Sequence, residues 1–270
     1  MKHKIGIVVN YCTNDYKFIN YNIEQVSRFA QEIVVPVADH FYDGTRENDF
    51  LLEKTIRENP KACFVKFKFD KKKKVESYWF WRLRRILKLP LRSGSQYWIC
   101  YARKIGCHSL SKEIEYVLFL DADEIIEAKK FIRWLKTREY QKYKAMKFAN
   151  YWYFREPIYQ ATTLEDTPLL IKKEYLTEDC YFDYQEREGM YQEVPEKKRR
   201  MVLGFDNKPM VHHYCWARGK EEMIKKVRTW GHNRDRNWVK LIEKEFSHAF
   251  NGTDFIQGYQ YKTVKAFINF

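Results

Sequence analysis

Glu115-Tyr-Val-Leu-Phe-Leu-Asp121-Ala-Asp123-Glu124-Ile-Ile126 is the stretch around which the chain is organised. Tyr116 to Leu120 is a run of β-forming and large apolar side chains, the pattern of a buried strand. It ends abruptly in three carboxylates within four residues. An open α/β sheet keeps its ligand beyond the carboxyl ends of its strands, so acids delivered there belong to a site. Carboxylates this close repel one another unless a cation or a donor compensates them. Oxygen ligands of this kind suit Mg2+ or Mn2+ shared with a substrate's phosphates. The bland alternative is an acidic turn in solvent, and the apolarity of the run before it argues against that.

Upstream, strands and helices alternate. Lys4 to Asn10 reads as a strand, followed by the polar loop Asn10-Tyr-Cys-Thr-Asn-Asp15. Tyr16 to Gln31 has helical spacing, and Glu32 to Ala38 is a second strand. That strand runs into Asp39, placed either to bond a ribose or base or to cap a turn. Asn48 to Glu58 is a helix stopped by Asn59-Pro60, and Ala62 to Phe69 a third strand. The β-α-β-α-β order predicts a parallel sheet of nucleotide-binding type. Ser95 to Leu110 is a helix leading into the central strand.

The composition sets limits. At 270 residues and 45% hydrophobic, the chain can build one large α/β domain, alone or with an appendage. No apolar run approaches the ~20 residues of a membrane span. Met1-Lys-His-Lys4 leads straight into strand, so a cytosolic chain is expected. The six cysteines form no CxxC pair and resemble no zinc module, so buried free thiols are expected. Lysine and arginine exceed the acids by 50 − 36 = 14, which draws the chain to anions.

That excess is concentrated between Lys66 and Arg92, with eleven basic residues against two acids. Within it, Tyr78 to Leu89 mixes aromatics with arginines. An apolar face packed on the body of the protein ranks first here. Peripheral contact with an anionic membrane ranks second and a nucleic-acid patch third.

Downstream, Glu127 to Arg138 reads as a helix, Lys144 to Phe154 as one strand and Leu169 to Ile171 as another. Glu178 to Glu193 reads as an acid-rich loop, and Glu196 to Arg200 as a solvated charge run. Pro209 to Trp216 is the last strand, and Lys220 to Phe250 one long helical segment. Alternation along the last strand points His212 and His213 opposite ways.

With these pieces in place, Ala102-Arg103-Lys104-Ile105-Gly106 followed by Phe119-Leu-Asp121-Ala-Asp123-Glu124 resembles the nucleotide-sugar core of family 2 glycosyltransferases of the GT-A fold. The ending is similar to the subgroup of bacterial lipopolysaccharide-core glucosyltransferases. Tyr191-Gln192-Glu193 and His212-His213-Tyr214 stand where that subgroup has its Glu-bearing and His-Tyr elements. The match is good over the first half and patchy from Asn150 to Tyr214. Lys104 stands for the commoner Asn, and Gln192 for a His.

The resemblance implies an α/β, GT-A-like fold with a mixed central sheet flanked by helices. The transferase domain would span residues 1–216, with a basic aromatic insertion at about 70–93 and a helical C-terminal extension over 217–270. It implies transfer of a sugar from a UDP- or GDP-sugar to the hydroxyl of a glycan or lipid-linked glycan, inverting in outcome, with Mn2+ or Mg2+. Asp123 would hold the metal, helped by Asp121 and by His213 in preference to His212. Asn10, Tyr11, Asp39, Arg103 and Asp121 would meet the donor nucleotide. An inverting transfer needs a general base, for which Glu193 is first choice and Asp166 and Glu188 are reserves.

Two other classes compete. A haloacid-dehalogenase-like phosphatase also places Asp-x-Asp after an apolar strand, but on its first strand and followed by Thr. A basic nucleic-acid-binding module fits the charge, yet no such signature is present and the acidic cluster would repel phosphate; nucleic acid is not expected as a partner.

Overall fold

The computed structural model describes residues 4–70, 94–178, 180–182, 185–230 and 236–270. The basic aromatic segment from Tyr78 to Leu89 lies outside the described residues. In chain order the regular elements are β1 (Ile5–Asn10), α1 (Tyr16–Val26), β2 (Glu32–Ala38), α2 (Asp49–Glu58), β3 (Cys63–Phe67), α3 (Gly94–His108), β4 (Tyr116–Asp121), β5 (Glu124–Ile126) and α4 (Ala128–Lys136). They continue with β6 (Ala145–Phe148), β7 (Asn150–Phe154), β8 (Tyr159–Glu165), β9 (Leu169–Lys172), α5 (Arg187–Gln192), β10 (Arg199–Val202), β11 (Val211–Trp216), α6 (Lys220–Thr229), α7 (Trp238–Glu245) and β12 (Tyr261–Thr263).

Among the described residues, a seven-stranded sheet runs in the order β3-β2-β1-β4-β9-β6-β10. Its first four strands are parallel, and β9 enters antiparallel between β4 and β6. Alternation along β4 splits its side chains between two cores. Leu118 and Leu120 join α1, α2 and α4 on one face, while Val117 and Phe119 join α3 and α5 on the other. This is the two-faced burial that an uninterrupted apolar strand needs. Helix α3 sits unusually close to the sheet, because Gly106 has no side chain. A Cβ there would meet Val8 at 2.5 Å. The close approach sets the height of Arg103, one turn earlier on the same helix.

A second sheet of five strands, in the order β12-β8-β7-β11-β5, stands beside the first. It accounts for the departures from the sequence reading. The single strand expected from Lys144 to Phe154 is two strands: β6 pairs in the first sheet and β7 in the second. Ala149 bridges them and donates its N–H to Val202. The period of two runs through this crossover, so periodicity alone cannot show it. The long helix expected from Lys220 is instead α6 and a separate α7, which pack with Trp152, Phe154 and Trp216 in one core. The charge run at 196–200 enters β10, an edge strand, and the acid-rich loop contains α5. No described helix is long and apolar enough to cross a membrane. All six cysteines are free; Cys63 is exposed and four are buried.

Candidate active site

Strand β4 ends at Asp121, and the chain turns at once into β5, which pairs antiparallel with β11 and sets Glu124 opposite His213. The turn is held from inside. Ala122 donates to the carbonyl of Asn10 (2.9 Å), and Tyr214 donates to the carbonyl of Asp123 (2.8 Å). The buried Asn22 amide reaches the carbonyls of Asp121, Ala122 and Glu124 at 3.2, 3.3 and 2.8 Å. The acidic motif therefore straddles the seam between the two sheets, and β11, the strand of the second sheet that carries His212 and His213, lies against it.

Each carboxylate has a built-in cation. Glu124 has no solvent exposure and accepts both guanidinium arms of Arg187, at 2.5 and 2.9 Å. Asp121 takes Arg187 at 3.0 Å and Arg103 at 3.4 Å. Asp123, also buried, accepts Arg218 at 2.9 Å and Lys226 at 2.8 Å on one oxygen. Its other oxygen faces His213 Nε2 at 3.6 Å. Burial pushes both aspartate carboxyls up, but the neighbouring cations win. Arg187 and Arg103 hold Asp121 below the usual carboxylate range, and Lys226, His213 and Arg218 hold Asp123 well below it. For His213, burial works against protonation; contact with Asp123 and Cys215 outweighs it and raises the ring well above the ordinary histidine value.

A folded-state pKa depressed in this way contributes stability above the unfolded value, near pH 4. That contribution is lost as pH falls through the folded value. Acid unfolding of the native protein should steepen below about pH 4, and Asp123→Asn should flatten that limb. Parallel urea titrations at descending pH would show this, and an unchanged acid limb would remove Asp123 from the account.

Asp121 and Asp123 line a cavity of about 520 Å³, within the range of small-molecule sites. Asn10, Tyr11, Tyr42, Arg103, Glu186 and Arg187 line it too, as do Trp152, Trp216, Trp230 and Trp238. Tyr11 is fixed by a 2.8 Å hydrogen bond to Thr55. Asn10 is buried, and its Oδ1 has no hydrogen-bond partner among the described residues. A buried unpaired acceptor on a cavity wall is poised for a donor supplied by a ligand. Asp123, His213 and Cys215 each offer one ligand atom, all within 4.8 Å of one another. This oxygen, nitrogen and sulfur set fits a transition cation better than Mg2+, which prefers oxygen alone.

The structure gathers part of the expected site. Asn10, Tyr11, Arg103, Asp121, Asp123 and His213 all line the cavity. Asp39 is exposed, pairs with His40 and caps the Phe69 N–H. His212 points the opposite way from His213 and bonds Tyr153 and Glu127 at 2.7 and 3.0 Å. Glu193 is exposed at the end of α5, away from the cavity lining. Asp166 and Glu188 both pair with the buried Lys147, at 3.1 and 2.5 Å.

Sequence reading missed Glu186, Arg187, Arg218 and Lys226. Glu186 had a faint signal as one of several acids around Gly189. The three cations had none, because they reach the motif only through the fold.

No family model matches the chain, and no curated protein matches it in sequence. Solved structures match in fold. The mannosyltransferase PcManGT from Pyrobaculum calidifontis, in complex with GDP-Man and Mn2+, gives a TM-score of 0.50 at 11% identity. The match covers 84% of this chain but 61% of that one. S. aureus TarS 1-349 gives 0.47 at 13% identity, covering 84% and 63%. The 4-diphosphocytidyl-2C-methyl-D-erythritol synthase from Anaerococcus prevotii DSM 20548 gives 0.45 at 10%, covering 82% and 93%. At this identity the likeness extends to the fold alone: the chain has a mixed α/β fold of the kind seen in PcManGT.

Proposed function

We propose that this protein transfers a sugar from a nucleotide-diphosphate donor to the hydroxyl of a glycan acceptor. The observation that carries this reading is the placement of Asp121 and Asp123 on a cavity that also holds an unpaired buried acceptor, Asn10 Oδ1. Asn10 and Tyr11 orient the nucleotide at the end of β1. Arg103 and Arg187 keep the Asp121 end of the cavity close to charge balance, so a diphosphate can approach without meeting bare carboxylates. Asp123 and His213, with Cys215 beside them, are the residues that would hold Mn2+. When bound, such a cation supplies positive charge to the departing diphosphate.

Glu186 is the carboxylate best placed to take the acceptor's proton. It lines the cavity, its side chain is 17% exposed, and Arg103 holds it at 2.5 Å. Its backbone sits at φ 55°, ψ −119°. Strain of this kind, of order 1–3 kcal/mol, gathers at functional sites. The tryptophans of the same cavity favour sugar transfer over nucleotidyl transfer, since flat aromatic faces suit the apolar faces of pyranose rings.

A screen of UDP-, GDP- and CMP-sugars, with and without Mn2+, tests the proposal. Release of a nucleoside diphosphate from at least one sugar donor is expected. Release of pyrophosphate from a nucleoside triphosphate, with every sugar donor inert, would make the protein a nucleotidyltransferase instead.

A further inference from the structure

Arg218 and Lys226 share one oxygen of Asp123, but their surroundings differ. Arg218 is fully buried, and the protein takes its donors: the carbonyls of Cys215 and Asn14 at 2.9 and 2.8 Å, Asp123 at 2.9 Å, and Asp15. It staples the loop after β1 to the acidic motif and does not line the cavity. Lys226 rises from α6, lines the cavity, and meets Asp123 at 2.8 Å and Asp15 at 3.8 Å. An ammonium is a compact charge with three rotatable donors, and it can turn from a carboxylate to a phosphate without moving its helix.

We infer that Lys226 is a resident cation at the Asp123 carboxylate, competing there with a divalent ion and binding the donor's diphosphate itself. The physical reason is occupancy and charge. A divalent ion on Asp123 must share this buried carboxylate with a full positive charge already within hydrogen-bonding distance. Asp123 at 2.8 Å and Asp15 at 3.8 Å bracket the Lys226 ammonium and hold it on the cavity wall. Lys226 thereby offers an anionic ligand a cation even when no metal is bound, so nucleoside diphosphates should bind in the presence of a chelator. This rests on the nucleotide-diphosphate reading of the cavity.

The test titrates Mn2+ by electron paramagnetic resonance into the native protein, Lys226→Met and Lys226→Gln. It also titrates UDP and GDP calorimetrically in excess chelator, with thermal unfolding as the check on folding. Removing the positive charge that sits 2.8 Å from the Asp123 carboxylate should tighten Mn2+ binding at least tenfold in both variants. Nucleoside diphosphate binding in chelator should weaken by about tenfold or more. Lys226→Arg, which keeps the charge, should leave Mn2+ weakly bound. Unchanged or weaker Mn2+ binding in the folded Met and Gln variants would overturn the inference. If the native protein bound neither UDP nor GDP with or without Mn2+, the donor reading would fail, while the Mn2+ comparison would still decide the competition at Asp123.

Discussion

Glu186→Gln should lower sugar transfer by about 10²–10⁴-fold, the usual contribution of a positioned general base. Nucleoside diphosphate affinity should stay within a few-fold, because the substitution removes proton acceptance and one negative charge beside Arg103, which keeps Asp121 at 3.4 Å. Gln keeps the shape of the side chain and can still accept a hydrogen bond from Arg103, which lies 2.5 Å away in the native protein. The unusual backbone at φ 55° argues that the chain holds this carboxylate on the cavity despite a conformational cost. Glu193→Gln is the matching control, since Glu193 is exposed at the end of α5 and should be silent. Steady-state transfer assays on both variants, with calorimetric binding of UDP and GDP, separate the roles. Transfer lost in the Glu193 variant and kept in the Glu186 variant would move the base to the exposed position.

Arg187→Met should cost about 3–5 kcal/mol, the penalty of removing one partner from a buried ion pair. Glu124 carries the argument. It is completely buried, both its oxygens accept from Arg187, and it also receives the Asp121 N–H at 2.9 Å. Without the guanidinium, a carboxylate stays in the interior with a single backbone donor, and Asp121 loses its nearer cation. At this chain length the melting temperature should fall by roughly 6–20 °C. Arg187→Met combined with Glu124→Leu removes both charges and should recover part of the loss, since a buried pair often exchanges for apolar groups at little cost. A single variant as stable as the native protein would show that the pair is not what holds the motif.

These two residues mark where sequence legibility ends. Glu186 and Arg187 sit side by side in a stretch that reads as an acid-rich loop, 65 and 66 positions from Asp121 along the chain. Nothing in their spacing ties them to the motif. The central strand was different. Its apolar run, its abrupt acidic end and the helix before it are local features, and local features impose their structure through burial and strand geometry. The first three strands follow for the same reason, and the boundaries of β2 agree with the sequence reading to the residue.

The amino-acid order by itself determined the parallel half of the sheet, β3-β2-β1-β4, with aspartates at the end of its central strand, because burial of an apolar run is a property of neighbours in sequence. Only the tertiary structure decided what surrounds those aspartates. The split of β6 from β7, the antiparallel pairing of β5 with β11, and the reach of Arg187, Arg218 and Lys226 all join residues distant along the chain. Charge compensation inside a protein depends on distance in space, and that distance exists only once two sheets have closed against each other.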